Sequence, residues 1–162
     1  MTQLQERLAL DHSEIHDLLE CLGQDVDVPA CGALSETWEK LETRLLRHMD
    51  AEELYLLPLL EASHPAEVER TRAQHTRIRK LVAELGIAIE LHTIRKSAIT
   101  ELIELLNRHA AHEDAGLYRL AGEKASVAVE RSLLSVLKGT LRRAVGASTH
   151  ALGSSSRGGS LP

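Results

Sequence analysis

Apolar residues recur every three or four positions through most of the chain and rarely alternate in twos, a pattern that predicts helices and no sheet. Turn-forming residues cluster at Gly23–Gly32, Ser63–Pro65, around His92–Lys96 and at Gly122–Ser126. Between these breaks the spacing predicts helices over about 2–22, 34–62, 66–91 and 96–121, with a shorter fifth over about 126–146. Pro58 falls inside the second and is expected to kink it near its C-terminal end. Four long helices with short connections imply an all-α fold, an up-down-up-down four-helix bundle with a short fifth C-terminal helix. Residues 148–162 are rich in Gly and Ser and read as a disordered tail, leaving 1–147 as one domain.

The apolar stripe of each long helix carries polar residues within it. On the first helix the stripe is Leu4, Leu8, Ile15, Leu19 and Leu22; His12 lies at its edge and His16 well off its centre. On the second it is Leu34, Trp38, Leu41, Leu45, Leu56 and Leu59, with His48 and Glu52 inside it and Glu53 pointing away. On the third, His75 falls among Val68, Ile78, Val82, Leu85 and Ile89. On the fourth, His109 and Glu113 join Leu102, Leu106, Leu117 and Leu120, while His112 and Asp114 do not. Each helix therefore sends one histidine into the core, and two send a glutamate one turn further on. A bare carboxylate in an aliphatic core is costly unless it is paired or bound to a metal.

The arrangement repeats. His12 to His48 spans 36 residues and His75 to His109 spans 34, and in each half a Glu follows four residues later. The local strings match as well, Arg47-His48-x-x-x-Glu52-Glu53 against Arg108-His109-x-x-x-Glu113-Asp114. An i,i+4 His–Glu pair occupies one helical face, as chelation requires. Four imidazoles and two carboxylates suit two metal ions, iron first and manganese or zinc as competitors, with the glutamates bridging and the histidines terminal. The ferritin-like arrangement uses Glu-x-x-His on two helices; the chain has one such string, Glu61–His64, beside Pro65 at a helix end.

Composition sharpens this. Phe is absent and Leu occupies 29 positions, so the core is aliphatic, yet there are nine His. His64, His92 and His150 fall at helix ends or in the tail and are expected to be solvent-exposed; His112 is expected on an outer face. The net charge of -5 argues against a nucleic-acid partner. No segment is long and apolar enough for a membrane span, and the N-terminus does not read as a signal peptide, so a cytoplasmic location is expected. Cys21 and Cys31 are read by default as free thiols, with a Cys21–Cys31 bridge the alternative. The fifth helix shows a stripe of Val127, Leu134, Leu137, Leu141 and Val145 beside Arg131, Lys138 and Arg142, read as a lid on the bundle with a solvated basic edge.

The ordered set His12, His48-x-x-x-Glu52, His75, His109-x-x-x-Glu113, with Asp11-His12 and Gln74-His75 around it, resembles the hemerythrin-like (HHE cation-binding) family over about residues 5–121. In pattern it looks most like the hemerythrin-like proteins of mycobacteria and related actinobacteria, some of which decompose hydrogen peroxide. The resemblance implies two iron ions with an oxo or hydroxo bridge that bind O2 or react with small oxidants such as H2O2 or NO. Oxygen-carrying members have a second histidine one turn after the third-helix ligand; this chain has Arg79 there. His16 or Tyr55 could supply a further ligand, with Tyr55 the stronger candidate and a candidate catalytic residue; its other reading is a core residue with a bonded hydroxyl. Tyr118 reads as packing. The expected function is peroxide decomposition or nitric oxide handling by a monomer or weak homodimer, against O2 or iron binding and sensing without turnover.

Overall fold

The computed structural model describes residues 3–25 and 31–139, and these are helical nearly throughout. In chain order the elements are α1 (Gln3–Asp25), α2 (Cys31–Ala51), a wide π turn π1 (Glu52–Leu56), α3 (Leu57–Leu60), α4 (Pro65–Glu90), α5 (Lys96–His112), a second wide turn π2 (Glu113–Leu117), α6 (Tyr118–Gly122) and α7 (Val127–Leu137). The runs α2-π1-α3 and α5-π2-α6 are each one continuous arm. With α1 and α4 they form the four expected helices, each boundary within three residues of the sequence reading. α1 packs on α2 and α5, and α4 packs on the same two, which closes the ring of a four-helix bundle. The predicted tail and the end of the fifth helix lie outside the described residues.

Both wide turns begin at the glutamate of a His-x-x-x-Glu pair. The N–H of Leu57 bonds the carbonyl of Glu52, and that of Tyr118 bonds the carbonyl of Glu113, five residues back instead of four. One extra residue per turn moves the inward face on by one position. Leu57 and Leu60 are therefore fully buried where Leu59 was expected, and Tyr118 and Ala121 are buried where Leu120 was expected. Such an irregularity does not require a proline. Pro58 sits in the first turn of α3, after π1, and π2 forms without one.

Two apolar clusters fill the bundle. One gathers Ile15, Leu19, Trp38, Leu45, Ile78, Val82, Leu102 and Leu106; the other gathers Leu4, Leu8, Leu56, Leu60, Val68, Leu117 and Tyr118. Along every arm the buried polar residues fall between the two, among them Asp11, His48, Glu52, His75, His109 and Glu113. α7 caps the second cluster against α2 and π1 with Leu133 and Leu137. Of its predicted stripe, Leu137 is buried, Leu134 is half-buried and Val127 is exposed. The face is set instead by Leu133 and Leu137, one turn apart, after a cap in which Ser126 Oγ accepts from the Val129 N–H.

Candidate metal centre

The six inward side chains predicted from the stripes converge. Glu52, His75 and Glu113 are fully buried, His48 and His109 nearly so, and His12 shows only its edge. They form two groups of donor atoms that share both glutamates: His12, His48, Glu52 and Glu113 in one, Glu52, His75, His109 and Glu113 in the other. The carboxylates straddle the groups. Glu52 Oε1 lies 3.3 Å from His48 Nε2 and its Oε2 lies 3.3 Å from His75 Nε2. Glu113 Oε2 lies 3.3 Å from His12 Nε2, and its Oε1 lies 3.2 Å from His109 Nε2 and 3.6 Å from His75 Nε2.

Each histidine turns Nε2 inward and Nδ1 outward, and the outer nitrogens of His48, His75 and His109 are hydrogen-bonded by three different residues. His48 Nδ1 donates to Asp11 Oδ2 at 2.8 Å, and Arg44 pairs with the other Asp11 oxygen. His75 Nδ1 donates to Glu53 Oε1 at 2.8 Å, and Arg79 braces that carboxylate at 2.5 Å while its other nitrogen reaches Asp50 at 2.9 Å. His109 Nδ1 donates to the side-chain carbonyl of Gln74 at 3.0 Å. Asp114 Oδ1 lies 3.3 Å from His12 Nδ1. Such outer partners fix which nitrogen carries the proton and leave the inner lone pair free to bind a metal.

The electrostatics follow the geometry. Burial alone would raise Asp11 and Glu53, but their histidine and arginine partners outweigh it; Asp11 is held below the usual carboxylate range and Glu53 is brought to about 2. Burial would lower His48, yet Glu52 and Asp11 raise it to about 10; His75, held by Glu113, Glu52 and Glu53, rises to about 11 against the same burial. His109, whose outer partner is a neutral amide, is lowered by its burial. The buried carboxylates thus favour positive charge on His48 and His75.

Four inner atoms have no hydrogen-bond partner although they are buried: Glu52 Oε2, His75 Nε2, His109 Nε2 and Glu113 Oε1. Buried polar atoms are almost always paired, so four orphans aimed at one point are what a cation site requires. Two imidazole nitrogens and two carboxylate oxygens are also the donor types that iron, manganese and zinc share. The residues fit a metal.

Several sequence readings change. Tyr118, expected to pack, brings its hydroxyl among the donors, 2.8 Å from His12 Nε2, 3.2 Å from His48 Nε2, 2.6 Å from Glu52 Oε1 and 3.0 Å from Glu113 Oε2. Tyr55 is half-buried against the second apolar cluster instead. The wide turns explain both. With bonds five residues apart, the fifth residue after a glutamate stacks over it, and that residue is Tyr118 in one arm and Leu57 in the other; Tyr55 is third after Glu52 and falls short of a full turn. His16 is half-exposed and pairs with Glu20 at 3.3 Å. His112 is not on an open face: it is largely buried and pairs with Glu67 of α4 at 2.6 Å. His64 is half-buried and His92 exposed, and His150 lies outside the described residues. Cys21 is exposed and free. Glu53 does point off the stripe, but toward His75 Nδ1. The signal that could have found Asp11, Glu53, Gln74 and Asp114 was their position directly beside an inward histidine or glutamate in sequence.

A cleft of about 380 Å³ between α1 and α5 reaches His12, His48 and His109, and its lining includes Leu19, Leu45, Ser13, Asn107 and Asp114. A larger groove of about 670 Å³ between α1 and α2, lined by Glu14, Lys40 and Arg44, touches none of the inward histidines. Among the described residues no helix is long and apolar enough to cross a membrane.

No curated protein and no solved structure matches the chain. A family model does, over residues 3–121, which spans all four arms of the bundle and every inward histidine and glutamate. The chain belongs to the hemerythrin family, whose shared unit is the HHE cation-binding domain.

Proposed function

We propose that the chain binds two iron ions, joined by an oxo or hydroxo bridge, and reacts with a small oxidant: hydrogen peroxide first, nitric oxide next. His12 and His48 would hold one ion, His75 and His109 the other, and Glu52 and Glu113 would reach both. The observation that carries this reading is the set of four buried, unpartnered donor atoms, Glu52 Oε2, His75 Nε2, His109 Nε2 and Glu113 Oε1. The ions would supply a Lewis-acidic pair able to exchange electrons with the oxidant.

The protein's own contribution is orientation and access. Asp11, Glu53 and Gln74 hold three imidazoles with the metal-binding nitrogen inward. The cleft between α1 and α5 admits a molecule of a few atoms to the edge formed by His12, His48 and His109. Arg79, at the place where oxygen carriers of this family have a further histidine, braces Glu53 instead. One nitrogen donor fewer favours the oxidised metal pair and turnover over reversible oxygen carriage.

Metal analysis and the visible spectrum of the aerobic protein test the metal, and loss of H2O2 or NO on mixing tests the chemistry. The expected result is two irons per chain with oxo-bridge absorption and turnover of at least one oxidant. Zinc with no visible absorption would overturn the iron reading. Two irons with a stable, reversible O2 adduct and no turnover would replace it with an oxygen-binding module.

A further inference from the structure

The two donor groups have the same kinds of inner side chain but differ in how those donors are satisfied. Each member of the first group meets the Tyr118 hydroxyl: His12 Nε2, His48 Nε2, Glu52 Oε1 and Glu113 Oε2 all lie within hydrogen-bond distance of it. In the second group the donors Glu52 Oε2, His75 Nε2, His109 Nε2 and Glu113 Oε1 make no hydrogen bond and face only one another, 3.2 to 3.6 Å apart. The difference originates in the repeat. The residue brought over the glutamate by the wide turn is Tyr118 in one arm and the fully buried Leu57 in the other. A leucine in that place offers no hydroxyl.

We propose that the Tyr118 hydroxyl is a placeholder in the metal-free protein and that the two metal positions therefore fill in order, the His75/His109 position first and the His12/His48 position second. The proposal rests on the two-metal reading above and adds an order to it. A hydroxyl carries one proton and two lone pairs, so Tyr118 can donate to one carboxylate oxygen and accept from imidazole N–H groups. A cation entering between His12 and His48 must displace these bonds. A cation entering between His75 and His109 displaces none from the hydroxyl and satisfies four buried atoms that otherwise make no hydrogen bond and face only one another, 3.2 to 3.6 Å apart. Hydrogen bonds to charged groups in a buried site are each worth enough to separate the two affinities by about tenfold to a hundredfold. The glutamates, shared by both positions, are then already oriented when the second ion arrives.

The test is a titration of the metal-free full chain with cobalt(II), followed by calorimetry and by visible absorption. The expected isotherm has two steps, the second about tenfold to a hundredfold weaker. In H109A the tight step is lost and in H12A the weak one. In Y118F, which keeps the ring and removes only the hydroxyl, the two steps close to within about threefold. A second measurement stands even if Y118F does not fold. In Y55F, Tyr118 is the remaining tyrosine, and its near-ultraviolet difference band should change with the second equivalent of cobalt and not with the first. Two equal steps in the parent chain would overturn the ordering and leave the two-metal reading intact. The ordering also fails if H12A loses the tight step, or if the tyrosine band changes with the first equivalent. A gap that persists or widens in Y118F overturns it too, since widening makes the phenol oxygen a ligand. Uptake of fewer than two ions overturns the two-metal reading and the ordering with it.

Discussion

Replacing Asp11 by Ala tests whether the outer partners matter as much as the geometry implies. Asp11 is 1% exposed, accepts from His48 Nδ1 at 2.8 Å and pairs with Arg44. Deleting it strands an imidazole that is itself 1% exposed and leaves Arg44 with Glu14. Removing one partner of a buried ion pair costs about 3–5 kcal/mol, because the other is left buried and uncompensated. For a domain of this size that lowers Tm by roughly 10 °C. Asp11→Asn keeps an oxygen that can still accept and should cost about 1–2 kcal/mol. The same change frees His48 to turn or to take the wrong tautomer, so metal affinity should fall about tenfold to a hundredfold. Gln74→Leu removes a neutral partner from His109, at 3.0 Å, and should cost about 1 kcal/mol. Thermal unfolding of metal-free and metal-loaded protein gives the stability terms; competition with a chromophoric chelator gives the affinity. The sign with pH follows from the lowered pKa. The carboxylate's contribution is present above its ordinary value of 3.8 and is lost as pH falls below it, so the parent and variant should converge in acid. A D11A protein with parental Tm and metal affinity within threefold of the parent would refute the bracing argument.

Three other outcomes can be checked directly. Glu53, brought to about 2 by His75 and Arg79, stabilises the fold above its ordinary 4.5 and loses that contribution as pH falls toward 2. Because it is partly exposed, Glu53→Gln should remove only about 1 kcal/mol at neutral pH and flatten the acid limb of a urea-midpoint profile; a profile parallel to the parent's would count against the His75–Glu53–Arg79 chain. Tyr55→Phe should leave metal stoichiometry and the visible spectrum unchanged, and a shifted spectrum would return Tyr55 to the site. Leu133→Ala, at a fully buried position under α7, should cost about 2–4 kcal/mol in denaturant unfolding while metal content stays the same; a loss of metal would tie α7 to the site.

The fold and the convergence of the inward histidines and glutamates were legible because both depend on one period. Leu4, Leu8, Ile15 and Leu19, or Val68, Ile78, Val82 and Leu85, repeat at the spacing of a regular helix, and the histidines ride on the same stripe. The reading lost its place where the helix stops being regular. After Glu52 and Glu113 the wide turns add a residue; Leu56 and Leu117, inside them, are buried as expected, but the projections past them slip by one: Leu60 for Leu59, Ala121 for Leu120, Tyr118 for a supposed packing residue. Nothing in the composition of Glu-Glu-Leu-Tyr-Leu or Glu-Asp-Ala-Gly-Leu announces such a turn, since the extra width is stabilised by what the shifted face meets in three dimensions. The choice between Tyr55 and Tyr118 hung on that single residue of slip.

The outer partners escaped the sequence for a different reason. Asp11, Glu53 and Gln74 each bond a histidine on another helix, between 22 and 37 residues away, and no helical wheel reports contacts between helices. Their placement is nonetheless systematic. Asp11 precedes His12 and Gln74 precedes His75, while Glu53 and Asp114 follow Glu52 and Glu113, so each neighbour of an inward residue sits at the helix edge that faces the next helix. The bundle thus uses adjacent positions twice: one residue points to the axis, and the next reaches across the seam to fix a neighbour's ring. Two hairpins with equal inner ligands then acquire unequal surroundings, with arginine-braced carboxylates behind His48 and His75 and an amide behind His109. The inequality is what an internal repeat gains when its inner ligands match but its edge residues do not. It makes the two donor groups chemically distinct even though their inner side chains are of the same kinds.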